Sequence, residues 1–189
     1  EDDLLGGAVR IRQPERGYRV TSDAVILAAL TPVTAGQRVL ELGTGYGQVA
    51  ICLLAREPSL QVTGLELMEE AATLARSNAA LNHMEDRLAV VTGSVVDFDG
   101  AGGFDVVVSN PPYRTAHTHT ASPDPLKAAA TVLQQPLALW VSCARRALRP
   151  EGRLVMILDA RQEAEALDAC TRNALSTIQI LPLLSFAAA

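Results

Sequence analysis

Three glycines at alternate positions, Gly43, Gly45 and Gly47, follow an acid in the stretch Glu41-Leu42-Gly43-Thr44-Gly45-Tyr46-Gly47-Gln48. That spacing lets a backbone turn tightly and approach a ligand with no Cβ in the way. Residues 38–42 read as a buried strand and residues 48–56 as a helix, whose first turn offers free N–H groups and a positive dipole end. A second acid, Glu66, closes the next strand, 66 − 47 = 19 residues past the last glycine, where a carboxylate can accept hydrogen bonds from ribose hydroxyls. Dinucleotide loops space their glycines GxGxxG; this one reads GxGxG. Glu41 beside it would repel a pyrophosphate but suit a cation such as an aminoacyl sulfonium. The pattern favours S-adenosylmethionine over NAD. A glycine turn that merely packs strand on helix is the plainer alternative, and Glu41 and Glu66 together argue against it.

A second constellation, Asn110-Pro111-Pro112-Tyr113, ends the apolar strand at residues 104–109. Two prolines stiffen the chain and hold each preceding residue extended. The Asn110 side-chain oxygen and the Pro111 carbonyl then form a rigid pair of acceptors for both hydrogens of a planar NH2 group. Held so, the nitrogen lone pair leaves conjugation and turns toward an incoming methyl group, while Tyr113 can stack on a flat base or amide. Positioning supplies most of such catalysis, because the amine loses its proton after transfer.

These motifs need a scaffold, and the remaining chain describes one. Residues 61–66, 88–92, 153–158 and 177–183 read as further strands, and residues 68–82, 136–148 and 162–174 as helices. Strands alternating with helices imply a mostly parallel, twisted α/β sheet with helices on both faces, whose ligands sit beyond the carboxyl ends of the strands. Ahead of it, alternation over residues 9–13 and 18–21, around the turn Pro14-Glu15-Arg16-Gly17, predicts a β-hairpin, followed by a helix from Asp23 to Leu30 that Pro32 ends. Residues 1–35 are thus expected as an N-terminal hairpin and helix, and residues 36–189 as the α/β domain.

Composition narrows the partners. With 49% hydrophobic and 20% charged residues the 189-residue chain is not disordered, and no apolar run is long enough to span a membrane. A net charge of −5 argues against broad, charge-driven nucleic-acid binding but leaves room for a local basic face. Arg10, Arg12, Arg16 and Arg19 concentrate positive charge in the hairpin; Arg10 and Arg12 share one face of a strand, and solvated strand charges weigh equally with an RNA contact. Cys52, Cys143 and Cys170 form no metal or redox spacing and read as reduced thiols of a cytoplasmic protein. His117 and His119 lack further ligands, so no metal is expected and a polar, target-facing loop is the better reading. Trp140 reads as core, and Arg145, Arg146 and Arg149 as complements to a helix dipole.

On the glycine loop, Gly64-Leu65-Glu66-Leu67, the Thr21-Ser22-Asp23-Ala24 entry and Asn110-Pro111-Pro112-Tyr113, the chain resembles class I S-adenosylmethionine-dependent N-methyltransferases, in particular the bacterial tRNA(Val) adenine-N6-methyltransferase family, over roughly residues 7–183. The resemblance implies a Rossmann-like fold, S-adenosylmethionine as cofactor, an RNA substrate and methylation of an exocyclic amine such as adenine N6. With the residue reading, it gives a cofactor set of Asp23, Glu41, Gly43, Thr44, Gly45, Gly47, Glu66, Leu67, Ser94, Val95 and Asn110, and a catalytic set of Asn110, Pro111, Pro112 and Tyr113. Ser94 stands where the family usually carries an acid, and the family's seventh, antiparallel strand is expected to be missing or truncated, since the chain runs out at Ala187-Ala188-Ala189. A glutamine amide or a guanine N2 is the alternative target; a non-catalytic RNA-binding module is the alternative class.

Overall fold

The structure, a computed structural model, describes residues 1–15, 19, 21–112 and 136–183. In chain order it contains β1 (Asp2–Leu4), β2 (Val9–Ile11), α1 (Ser22–Leu30), β3 (Arg38–Leu42), α2 (Gln48–Arg56), β4 (Gln61–Glu66), α3 (Glu69–Leu81), β5 (Leu88–Thr92), β6 (Phe104–Ser109), α4 (Leu137–Ala147), β7 (Leu148–Met156) and α5 (Glu163–Arg172). Five strands form one parallel sheet in the order β5-β4-β3-β6-β7. The chain winds outward from β3 toward β5, then returns to β6 on the other side, so the strand order reverses between β3 and β6. That crevice is where ligands of such sheets bind.

Period-two alternation sorts the strand residues onto two faces. Val39, Val62, Val106 and Val108 join one apolar cluster with α1, α2 and the buried Val9 and Ile11 of β2. Leu40, Leu42, Leu65 and Val107 join the other with Trp140, Cys143, Ala144 and Ala147 of α4. Among the described residues no helix is long and apolar enough to cross a membrane.

The N-terminal hairpin is present with another partner strand, and two further local expectations are corrected. The hairpin lies nearer the start of the chain: β2 pairs antiparallel with β1, and the turn runs through Leu5, Gly6 and Gly7, all at positive φ. Two adjacent glycines accept that backbone conformation, and residues 16–18 and 20 of the expected turn and second arm lie outside the described residues. Strand β7 begins at Leu148 rather than at residue 153, and its register against β6 breaks around Pro150, Glu151 (φ 63°) and Gly152 before regular pairing starts at Arg153. Residues 177–183 are not a strand; Ile178, Ile180, Leu181 and Leu183 stand exposed. Apolar alternation marks a face but supplies no pairing partner, and Pro182 has no N–H to donate.

Candidate functional site

Adjacent parallel strands carry the two motifs to one edge of the sheet. Leu42 pairs with Ser109, so Gly43 and Asn110 emerge side by side from the carboxyl ends of β3 and β6. The Ser109 hydroxyl donates to the Leu42 carbonyl at 3.0 Å and clamps the two ends together. Gly43, Gly45 and Gly47 take φ values of 72°, 56° and 84°, in the left-handed region that side chains resist. Gly43 and Thr44 both donate their N–H groups to the Leu65 carbonyl, at 2.8 and 3.0 Å, and this draws the loop over the end of β4.

Glu66, half-buried at that end, accepts from the Gly45 N–H at 2.8 Å and from the Met68 N–H at 3.0 Å. Its carboxylate thus fixes the loop from one side and keeps further lone pairs for hydroxyl donors. Leu67 beside it is 42% exposed. Asp23 lies in the first turn of α1, the helix packed on α2. Ser94 receives the Val96 N–H at 3.1 Å in the turn after β5, and the Val95 side chain enters the core cluster of Leu42 and Leu65.

Glu41 and Thr44 are placed otherwise than their position in the motif suggests. Glu41 is 1% exposed, because alternation along β3 turns it to the Val39 face, beneath α2. Its Oε2 accepts from the Thr44 hydroxyl at 2.7 Å and from the Ala50 N–H at 3.0 Å. Gly47, the N-cap of α2, has no side chain with which to satisfy the first turn, and Glu41 does so from the strand. These two side chains support the loop from below and are not on its open surface.

Burial pushes the Glu41 carboxyl up to about 8, against the pull of the Thr44 and Ala50 bonds, with the Glu66 charge adding to the rise. The unfolded chain releases this proton near 4.5, the folded protein near 8. Across that window the native state holds a proton the unfolded chain has lost, so stability falls as pH rises, by up to about 1.4 kcal/mol per pH unit. Glu41→Gln keeps an oxygen for Thr44 and Ala50 and has no proton to lose. Its Tm advantage over the wild type, read in thermal melts between about pH 5 and pH 9, is expected to grow with pH and level off above the folded value.

Asn110 is half-buried, Pro111 buried and Pro112 exposed. Among the described residues, Asn110 Oδ1 is a buried side-chain acceptor with no hydrogen-bond partner. Buried amide oxygens are ordinarily paired, so an unmet one at a ligand edge is an acceptor held ready for a donor. Tyr113, His117 and His119 lie outside the described residues, as does Arg16.

Of the arginines of this segment, the three described ones are ion-paired. Arg10 and Arg12 pair with Glu1 at 3.3 and 3.4 Å, and Arg19 with Asp2 at 2.9 Å. Arg146 departs from its expected service to the end of α4: its guanidinium donates to the carbonyls of Val95, Val96 and Phe98 and braces the turn after β5. Arg149 reaches Asp105 at 2.7 Å. Trp140 is core, as expected, but also a floor for the site, since a Cβ on Gly43 would lie 2.9 Å from its ring. Asn78 is the residue that sequence reasoning missed. Its only sequence signal is a polar amide among Ala72, Ala75 and Ala79 on the buried stripe of α3.

Comparison with known proteins agrees with this architecture. Residues 20–181 match the family described as the methyltransferase small domain. A tRNA1(Val) (adenine(37)-N6)-methyltransferase of Porphyromonas gingivalis is 35% identical over 157 residues, covering 78% of this chain and 61% of that protein. The enzyme of the same name from Erwinia tasmaniensis is 35% identical over 155 residues, covering 79% and 62%. The chain therefore spans about three fifths of the length of these relatives. A solved SAM-dependent O-methyltransferase of Thermotoga maritima superimposes with a TM-score of 0.62 at 20% identity, covering 84% of this chain and 52% of that one, a likeness of fold. The match across most of the sequence, set on a parallel sheet with its glycine loop at the strand-order reversal, means that the chain belongs to the methyltransferase small domain family.

Proposed function

We propose that the protein transfers a methyl group from S-adenosylmethionine to an exocyclic amine, and that this amine is adenine N6 in a tRNA. The observation that carries the reading is the buried Asn110 Oδ1, without a hydrogen-bond partner among the described residues, at the same sheet edge as the glycine loop. S-adenosylmethionine, when bound, supplies an electrophilic methyl group on a cationic sulfur. The residues present suit it. Three left-handed glycines open the backbone, and the Glu66 carboxylate faces the loop through Gly45 and retains lone pairs for ribose hydroxyls. The buried Asn110 oxygen waits for a donor on the target side.

The chain's own task is then to orient the acceptor. Asn110 Oδ1 and the Pro111 carbonyl receive the two amine hydrogens and aim the nitrogen lone pair at the loop. Pro111 and Pro112 keep these acceptors rigid, so little reorganisation remains at the moment of transfer. A base in a helical stem must be flipped out to reach this edge. Tyr113, next in sequence, supplies the aromatic face for it. The names of the relatives favour adenine N6 over a glutamine amide or guanine N2. Arg10, exposed on β2, and Arg12, exposed just after it, are our candidates for phosphate contact, together with Arg16 and Arg19 of the same segment. The described ion pairs of Arg10, Arg12 and Arg19 are exposed and therefore weak, so a phosphate can displace the carboxylates.

The test is incubation with a labelled methyl donor and total RNA from a strain lacking the gene, followed by nucleoside mass spectrometry. Labelled N6-methyladenosine is the expected product. Labelled N2-methylguanosine, or a labelled protein band, would replace the target and keep the chemistry. No label in any fraction, with no S-adenosylmethionine binding by calorimetry, would make the protein a non-catalytic module.

A further inference from the structure

Two asparagines one helical turn apart grip the hairpin. Asn82 Oδ1 accepts from the Arg10 N–H at 2.9 Å, and its Nδ2 donates to the Arg10 carbonyl at 2.7 Å. Asn78 repeats the pattern on Arg12: Oδ1 accepts from its N–H at 2.8 Å and Nδ2 donates to its carbonyl at 2.9 Å. The geometry matches because four residues of helix rise about 6 Å and two residues of strand about 6.8 Å. Asn78 of α3 and Asn82, its C-cap, thereby serve the backbone of Arg10 in β2 and of Arg12 just beyond it as a neighbouring strand would.

Only one of the two asparagines reaches further. The second hydrogen of Asn78 Nδ2 goes to the Tyr46 carbonyl at 2.9 Å, in the middle of the glycine loop. The second donation of Asn82 goes to the Asn78 carbonyl, inside the helix. Asn78 is 0% exposed, so a lost bond is not replaced by water. The peptide between Tyr46 and Gly47, flanked by positive φ at Gly45 and Gly47, is held at both ends: the Gly47 N–H donates to the Thr44 carbonyl at 2.8 Å, and Asn78 takes the other end. The Tyr46 N–H is turned inward to Gln48 Oε1 at 3.1 Å.

We infer that Asn78 is a positioning residue that holds the glycine loop in its binding shape from the hairpin, so that one buried amide couples the hairpin surface to the cofactor loop. The ligand named in the test rests on the methyltransferase reading; the tie itself does not. Such a coupling is reciprocal and runs only through the Asn78 bonds to Arg12: whatever holds the Arg12 backbone tightens binding at the loop, and the reverse.

The test compares the two asparagines. Asn78→Asp keeps the acceptor for Arg12 but sets a carboxylate oxygen against two carbonyls. It is expected to weaken S-adenosylmethionine binding about ten-fold or more by calorimetry and to speed amide exchange at Gly45, Tyr46 and Gly47. Asn82→Ala loosens the same hairpin without touching the loop, so its affinity is expected to stay within about two-fold of wild type and its loop exchange to stay unchanged. Arg12→Pro, at an exposed position, removes the N–H that Asn78 receives and is expected to act in the same direction as Asn78→Asp even if that variant does not fold. Equal effects at Asn78 and Asn82, or unchanged loop exchange in both Asn78→Asp and Arg12→Pro, would overturn the inference. Absence of binding by the wild type counts against the proposed function alone, because the exchange experiment needs no ligand.

Discussion

Asn110→Ala is expected to lose methyl transfer by on the order of 100- to 1,000-fold while still binding S-adenosylmethionine and melting at a higher temperature than the wild type. The three readouts follow from one geometric fact. Asn110 Oδ1 is buried with no partner among the described residues, and an acceptor left unmet in this way costs about 1–3 kcal/mol. Alanine removes that cost and with it the group that receives the amine. A residue kept for packing would lose stability and activity together; one kept for chemistry moves them in opposite directions. Cofactor calorimetry, single-turnover methylation and thermal melts on the same preparation check all three. Near-normal turnover by this variant would remove Asn110 from the mechanism.

Gly43→Ala carries the next largest effect, and on the cofactor side. The backbone there sits at φ 72°, and a new Cβ would meet the Trp140 ring atoms Cη2 and Cζ3 at 2.9 and 3.0 Å. Left-handed strain and overpacking together are expected to cost about 2–4 kcal/mol of stability and to shift the loop enough to abolish measurable S-adenosylmethionine binding. Gly45→Ala makes the contrast. Its φ is also positive, but the nearest atoms to the added Cβ are those of the Gln48 side-chain amide, at 3.5 Å, an ordinary contact, so about 1 kcal/mol is expected. Combining Gly43→Ala with Trp140→Phe should recover the steric part and leave the backbone part. Denaturant melts of the four proteins separate the two contributions. A Gly43→Ala protein as stable as Gly45→Ala would show that Trp140 yields freely.

The α/β frame was readable because its signals are local. Residues 38–42, 48–56, 61–66, 88–92 and 104–109 are apolar runs bracketed by glycine, proline or polar turns, and the elements fall on those bounds. The adjacency of Gly43 and Asn110 followed from strand alternation with helices, which forces both motifs to carboxyl ends. Features that depend on three-dimensional partners were not readable. Glu41 lies two residues before Gly43 in either reading, but only the packing of α2 onto the Val39 face decides that its carboxyl goes under the loop. The run at residues 9–13 alternates well, yet alternation does not say which neighbour pairs with it; the partner was the acidic Asp2–Leu4. Residues 177–183 show the converse, a strand-like pattern with no edge hydrogen-bonded to it. Arg146 looked like a dipole complement because the carbonyls it braces lie about 50 residues away in sequence.

The asparagine pair on α3 also bears on how the protein behaves in a crowd. A short strand at the margin of a sheet normally presents a row of unmet amides and carbonyls that can recruit a like segment from another molecule. On β2 and just past it, the main-chain groups of Arg10 and Arg12 are already taken by Asn82 and Asn78. Strand-to-strand self-association through this margin is therefore closed off without a proline or a lysine to guard it.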